Sequence, residues 1–348
     1  MEASLEKIGI AVVGTGDWGA NLVRNFGALP GARLVALCDT DSKRLNAAVA
    51  RHPGTLPLDN INDVAINSEI QGVVIAAPAV HHFSIAQRML EAGKDVYVEK
   101  PLTLEVGHAE TLVQLARDKQ RILMVGHLLL FHPAVKYLKD LVNRGDLGDL
   151  HYLYSQRVNL GKVRKDENAL WSFAPHDLSV ILHLLGEEPI DVSARGSAFL
   201  QPGIEDVVFV DMRFSKGRQA HVHVSWLDPH KLRKFTVVGS KKMVVFDDME
   251  ASEKVRIYDK GVNRQGEVVS YGDALTVRSG DILIPQISLQ EPLRIECQHF
   301  VDCIRDRTKP VTDGADGLKV VKVLAAAQES LESGGIPVPI AAVKAVHS

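Results

Sequence analysis

The fold is decided by the stretch Ile8-Gly9-Ile10-Ala11-Val12-Val13-Gly14-Thr15-Gly16-Asp17-Trp18-Gly19. Ile8–Val13 is a short apolar run that reads as a buried strand. It leads straight into a Gly-x-Gly-x-x-Gly turn, and a helical pattern follows through Asn21–Phe26. Each glycine has its own task in this setting. Gly14 permits the tight turn off the strand, Gly16 lets backbone approach a pyrophosphate, and Gly19 lets helix and strand pack closely. Backbone N–H groups of the turn, those of Thr15, Asp17 and Trp18 among them, then face the phosphates at the positive end of the helix dipole. A bare motif of this kind is weak evidence. Its place between strand and helix, at the head of a βαβ unit, makes it a dinucleotide site.

Moving outward, a second strand over Arg33–Cys38 ends at Asp39, twenty residues past Gly19. An acidic side chain there can accept hydrogen bonds from a ribose 2′-hydroxyl and repels a 2′-phosphate, which favours NAD over NADP. Lys43 and Arg44 follow closely and work against that preference. Asp39 also fits a second role, as a cap for the helix expected over Asp41–Val49. Further strands are expected at Gly72–Ala76, Asp95–Val98 and Ile122–Val125, with helices such as Ser84–Ala92 and Leu104–Lys119 between them. Such alternation makes a doubly wound parallel sheet. Ile75-Ala76-Ala77-Pro78 ends one strand with small residues and a proline, which suits a loop passing close to a cofactor. His81 and His82 follow, and taken singly His82 reads as a capping or surface histidine.

Asp95-Val96-Tyr97-Val98-Glu99-Lys100-Pro101 is the second informative stretch. The strand stops in a Glu-Lys pair closed by proline, which biases Lys100 toward extended backbone at the carboxyl end of the strand. Open α/β sheets bind their ligands at that end. A surface Glu-Lys pair is the competing reading.

From about His127 the pattern changes. A helix is expected over Pro133–Arg144, ending at Gly145. Strand-like runs follow at His151–Val158, Val192–Phe199, Val207–Phe214, Gln219–Trp226, Phe235–Val238, Met243–Phe246 and Val255–Tyr258. With no regular helices between them, they predict a largely antiparallel sheet and an α+β domain. The polar, glycine-rich segment Asn263–Pro285 reads as a long loop or arm, and helices return at Pro292–Arg305 and Gly317–Ser333. The expected fold is therefore α/β: an N-terminal domain over residues 1–126 and an α+β domain over 127–348.

A chain of 348 residues is long enough for two cores. Its net charge of −3 argues against nucleic-acid partners and a polybasic membrane anchor. No apolar run is long enough to span a bilayer, and residues 1–8 lack the apolar core of a secretory signal. Cys38, Cys297 and Cys303 fit neither a disulfide framework nor a zinc template, so no metal is expected and a reducing cytoplasm is the simplest home.

With Gly14–Gly19, Ala76–Pro78, His82 and Glu99-Lys100-Pro101 in order, the chain resembles the glucose–fructose oxidoreductase/inositol dehydrogenase family, Gfo/Idh/MocA. Ala92-Gly93-Lys94 and Gly126-His127 add to the likeness, which covers nearly the whole chain. It implies a Rossmann domain followed by an open-faced sheet domain that mediates homodimers or homotetramers. It implies a cofactor site that includes Ala77, Pro78, His82, Glu99 and Lys100, with Lys100 beside the nicotinamide and the reacting carbon. The family's second signature is an aspartate followed four residues later by histidine or tyrosine on a helix. Here His176 matches the base position within Trp171-Ser172-Phe173-Ala174-Pro175-His176-Asp177, and Ser172 stands where aspartate is usual. The block Arg157-Val158-Asn159-Leu160-Gly161, taken with Asn168–Asp177, is similar to nucleotide-sugar members that oxidise UDP-N-acetylglucosamine or its uronic acid at C3. The resulting 3-keto sugar is aminated for cell-surface glycans. This likeness implies a substrate site of Lys100, Arg157, Asn159, Arg164, Trp171, Ser172 and His176.

The chemistry agrees with that likeness. Oxidising a secondary alcohol needs a hydride acceptor and a base, and histidine titrates near working pH. Lys100 would stabilise charge developing on oxygen. The bland reading makes His176 the N-terminal residue of a helix after Pro175. Arg157, Lys162, Arg164 and Lys165 form a basic stretch that suits a pyrophosphate and equally suits a solvated loop. Trp171 suits stacking on a sugar or base and equally suits a buried anchor. His221 and His223 share one strand face, with solvent or a subunit interface preferred to a metal. Gly126-His127 and His132-Pro133 read as structural, with the nicotinamide pocket as the other possibility. Three functions follow: a nucleotide-sugar dehydrogenase, a dehydrogenase or ketoreductase of a free sugar or cyclic polyol such as inositol, and a non-catalytic NAD(H)-sensing protein.

Overall fold

The computed structural model describes residues 7–264, 275–288 and 290–340, and the chain divides into two compact units. The first takes in the chain to Phe131 together with 290–321. Its elements are β1 (Ile8–Val13), α1 (Gly19–Ala28), β2 (Ala32–Cys38), α2 (Ser42–Arg51), β3 (Leu56–Leu58), α3 (Ile61–Ile66), β4 (Gly72–Ile75), α4 (His82–Glu91), β5 (Asp95–Glu99), α5 (Val106–Asp118) and β6 (Leu123–Gly126). The strands form a six-stranded parallel sheet in the order β3-β2-β1-β4-β5-β6. Every residue of β1, β4, β5 and β6 is buried, because helices cover both faces. The order reverses between β1 and β4, which opens a crevice at the carboxyl ends of those two strands.

The second unit takes in 132–289 and the chain from Lys322 onward. Its elements run α6 (Pro133–Asn143), β7 (Leu150–Val158), α7 (Ala169–Leu185), β8 (Asp191–Ser197), β9 (Val207–Arg213), β10 (Gln219–Ser225), β11 (Leu232–Gly239), β12 (Met243–Asp247), β13 (Val255–Arg264) and β14 (Leu275–Leu283). After α8 (Pro292–Asp306) and α9 (Gly314–Glu332), β15 (Val338–Pro339) completes a sheet ordered β14-β13-β12-β11-β7-β10-β9-β8-β15. All pairs are antiparallel except β10 with β7. Helix α7 packs on β7, β9 and β10. On the opposite side chains of these strands, Tyr152, Tyr154 and Phe209 are exposed, and Phe209 stacks on His223.

Three expectations change. The boundary is not a single cut after residue 126, because α8 returns to the first unit. It buries Leu293, Phe300, Val301 and Ile304 beside Ile10, Phe26 and Tyr97. Each such side chain contributes about 1.5–3 kcal/mol when taken out of water. The segment expected as a loop over Asn263–Pro285 holds the whole of β14, paired with β13; residues 265–274 lie outside the described ones. The strand-like runs from His151 are not free of regular helices, because α7 lies between β7 and β8; in the first unit, β3 and α3 are too short to show a period.

Candidate active site

The glycine-rich turn follows directly from its backbone. Gly14 has φ +93, and a Cβ there would come within 2.7 Å of the Ala76–Ala77 backbone. A Cβ on Gly19 would collide with the Gly14 carbonyl. A Cβ on Gly16 would meet nothing nearer than Arg44 Nη1 at 4.0 Å, so the turn stays open where a phosphate must approach. NAD therefore fits the residues present.

Asp39 closes β2. Its Oδ2 accepts from Thr15 N (2.7 Å) and Thr15 Oγ1 (2.8 Å), and its Oδ1 accepts from Asp41 N (2.9 Å). Burial alone would raise its pKa, but the hydrogen bonds from Asp41 and Thr15 outweigh burial and hold it below the usual range. An ionised carboxylate thus sits against the glycine-rich turn at Thr15. The helix-cap role belongs to Asp41, which accepts from Lys43 N and Arg44 N. Arg44 pairs with Asp41 at 3.3 Å, an exposed contact.

At the end of β5, Glu99 is buried and Lys100 half-buried, with a cis Lys100–Pro101 peptide. Trp18 Nε1 donates to Glu99 Oε1 at 2.5 Å, Tyr97 Oη donates to the same oxygen at 3.1 Å, and Lys100 N donates to Oε2 at 3.2 Å. Burial raises the Glu99 carboxyl above the usual range, against those hydrogen bonds and the Lys100 charge. Glu296 of α8 is also buried, and burial followed by the Glu99 charge raises it well above the usual range. Sequence reading passed over Glu296. Its one signal is an acid on the apolar stripe of Leu293, Cys297 and Phe300.

His82 is buried, with Nδ1 2.8 Å from the Pro101 carbonyl and Nε2 2.9 Å from the Ala77 carbonyl. The ring sits between the Ala77–Pro78 turn and the loop after Lys100, donating to one of the two carbonyls when neutral and to both when protonated. Burial lowers its pKa despite those carbonyls. His127 is buried with no hydrogen-bond partner on either ring nitrogen among the described residues. Burial, then the Lys100 charge, pushes it down to about 4, leaving a neutral imidazole. His132 instead caps α6, accepting from Ala134 N at 3.0 Å.

In the second unit, Asn168 caps α7 through Trp171 N, and Gly186 ends it in the left-handed region. The helix starts at Ala169, so His176 lies two turns inside it and Pro175 is interior; the reading of His176 as an N-terminal residue does not hold. Four residues apart, Ser172 (buried) and His176 (half-buried) share a helix face. Trp171 Nε1 donates to Gln328 Oε1 at 3.2 Å, and Asn168 Nδ2 donates to the same atom at 3.0 Å. Arg157 is buried against α7: its Nε and Nη2 donate to Asp177 at 2.7 and 3.2 Å, so it is not part of an exposed basic stretch. Arg164 is exposed and pairs with Glu167 at 2.9 Å. Asn159 is half-exposed at the end of β7. His221 pairs with Asp211 at 2.8 Å, and no group that could hold a metal occurs among the described residues.

The model of an oxidoreductase family with an NAD-binding Rossmann fold matches residues 8–127, and the Gfo/Idh/MocA C-terminal domain matches 135–245. Together they cover more than half of the chain. The chain belongs to the Gfo/Idh/MocA family. It is an enzyme, an NAD-dependent oxidoreductase. The UDP-N-acetylglucosamine 3-dehydrogenase of Acidithiobacillus ferrooxidans is 24% identical over 311 residues, 89% of this chain and 93% of that protein. The scyllo-inositol 2-dehydrogenase (NAD(+)) of Bacillus subtilis is 25% identical over 344 residues, 94% and 95% of the two chains. A 2,7-anhydro-N-acetylneuraminate hydratase of Mediterraneibacter gnavus is 28% identical over 230 residues, and the match spans 62% of this chain and 61% of the hydratase. Among solved structures, GenD2 from gentamicin A biosynthesis in complex with NAD has a TM-score of 0.82, with 24% identity and 98% of each chain covered. No helix among the described residues is long and apolar enough to cross a membrane.

Proposed function

We propose that this oxidoreductase oxidises a ring hydroxyl of a nucleotide sugar, at C3 of UDP-N-acetylglucosamine or its uronic acid, as a step toward amino sugars of cell-surface glycans. The observation that carries the substrate is the match to a UDP-N-acetylglucosamine 3-dehydrogenase along nearly the full length of both proteins. Bound NAD would accept the hydride. Lys100 stabilises the charge that develops on the substrate oxygen, His176 takes the hydroxyl proton, and Ser172 borders that histidine one turn earlier. The turn Gly14–Gly19 faces the pyrophosphate, and Asp39 accepts from the adenosine ribose. Asn159, Arg164 and Trp171 line the substrate's path. Arg157 contributes through Asp177, by holding α7 on β7.

A second reading, a dehydrogenase or ketoreductase of a cyclic polyol, draws on the inositol relative of matching length. We place the enzyme in the cytoplasm as a homodimer or homotetramer joined through the exposed face of the second unit's sheet. Three unpaired cysteines and the exposed Tyr152, Tyr154 and Phe209 support those assignments. The test is NADH formation with UDP-N-acetylglucosamine, its uronic acid, scyllo-inositol and myo-inositol. The proposal expects turnover with a UDP-sugar and none with the inositols. The reverse pattern selects the polyol reading, and turnover with none of them overturns both.

A further inference from the structure

The dinucleotide crevice lies at the carboxyl ends of the first unit's strands, but a cleft of about 570 Å³ lies at their amino ends. Ile8 opens β1, Asp95 opens β5, and Ile70 sits just ahead of β4; all three line it. Its size falls within the range of small-molecule sites, roughly 300–1,000 Å³. Four cations reach it: Lys94, Arg121, Arg305 and Arg307.

Two of them are already neutralised. Arg307 Nη1 donates to Asp95 Oδ2 at 2.6 Å, and Arg305 pairs with Asp302 and Asp306. Asp95 is the cleft's one acid, and its other oxygen accepts from Ile122 N at 2.8 Å. The remaining two have no acid. Lys94 is 7% exposed, and its Nζ donates only to the carbonyls of Asn67 and Ile70, both at 2.7 Å. The Arg121 guanidinium has no hydrogen-bond or ion-pair partner among the described residues. Beside these charges, Ile8, Ile70 and Ile304 supply an apolar wall.

We propose that this cleft is a second ligand site, taking a phosphorylated small molecule of about mononucleotide size. Arg121 would grip the phosphate oxygens bidentately, Lys94 would add a second positive charge, and the isoleucines would cover the apolar face of the organic part. Burial and then the neighbouring Arg121 charge lower the Lys94 pKa, a cost that a bound dianion would relieve. The site is independent of the dehydrogenase reading, since it lies at the opposite end of the sheet from Gly14, Asp39 and Lys100.

The test is calorimetric titration of the full chain, saturated with NADH to block the dinucleotide crevice, using CMP and inorganic phosphate as probes. CMP should bind more tightly than inorganic phosphate. Arg121→Ser, an exposed change that leaves the fold intact, should weaken CMP by about tenfold or more, the loss expected for a charge-assisted hydrogen bond. Its NADH affinity and unliganded Tm should match the wild type. Absence of CMP binding, binding that Arg121→Ser leaves unchanged, or inorganic phosphate binding as tightly as CMP would each overturn the proposal.

Discussion

The indole of Trp18 donates to Glu99 Oε1 at 2.5 Å, joining the glycine-rich turn to the residue that precedes Lys100. The cofactor turn and the lysine are therefore not set independently. Glu99 also accepts from the Lys100 backbone, so one carboxyl sets both. The Glu99→Gln variant keeps an oxygen for Trp18 but loses the charge. We expect its kcat to fall about tenfold with KM for NAD nearly unchanged. Glu99→Ala loses the tie as well and should cost about 100-fold, the scale of a misplacement near 1 Å, with KM for NAD raised. Steady-state kinetics on both variants check this; equal effects on both parameters would contradict it.

Glu296 gives a pH signature. Burial and the Glu99 charge raise its pKa well above the ordinary range, so the folded chain keeps a proton that the unfolded chain releases. Its contribution to stability is fully present below the ordinary carboxylate range and is lost as pH rises toward the folded value. Glu296→Gln has no proton to lose. Its Tm should exceed the wild type by a margin that grows from about pH 5 to about pH 8. Thermal melts across that range would show a constant margin if Glu296 were ionised in the fold.

The Arg157–Asp177 pair is buried on both sides, at 11% and 4% side-chain exposure. Asp177→Ala leaves a guanidinium without its acid and should destabilise by about 3–5 kcal/mol. Arg157→Met with Asp177→Leu should recover most of that loss. Denaturant unfolding checks both. A stable Asp177→Ala chain would return Arg157 to the substrate.

Much of the first unit can be read from sequence because its signals are local. Strand, glycine turn and helix follow one another within Ile8–Ala28, and the three glycines' separate steric roles match three different surroundings in space. The end of β5 at Glu99-Lys100-Pro101 is equally local. What escaped depends on distant partners. Helix α8 looks like any amphipathic helix until Phe300 meets Phe26 and Tyr97. The His82 ring could be assigned to the scaffold only once the Ala77 and Pro101 carbonyls stood on either side of it. Arg157 reads as basic and exposed when its neighbours Lys162 and Arg164 are counted, but strand β7 turns it inward onto Asp177. Strand β14 was missed because an edge strand needs backbone pairing more than apolar content.

His82 yields a further expectation. His82→Ala releases the Ala77 and Pro101 carbonyls and leaves a cavity, so stability should fall by about 1–3 kcal/mol. The NAD affinity of the folded fraction should stay within a few-fold. Fluorescence titration with NADH, alongside unfolding curves, separates the two. A large loss of NADH affinity in a stable variant would make the ring a cofactor ligand.

Lys100 and His176 are proposed to carry the proton and charge work of one oxidation. This is tested most directly by NADH formation from UDP-N-acetylglucosamine in the wild type, Lys100→Met and His176→Asn, with NAD affinity measured separately on each. Each variant should lower kcat by about 10²–10⁴-fold while binding NAD within a few-fold of the wild type. Turnover that survives either substitution at near wild-type kcat would contradict it.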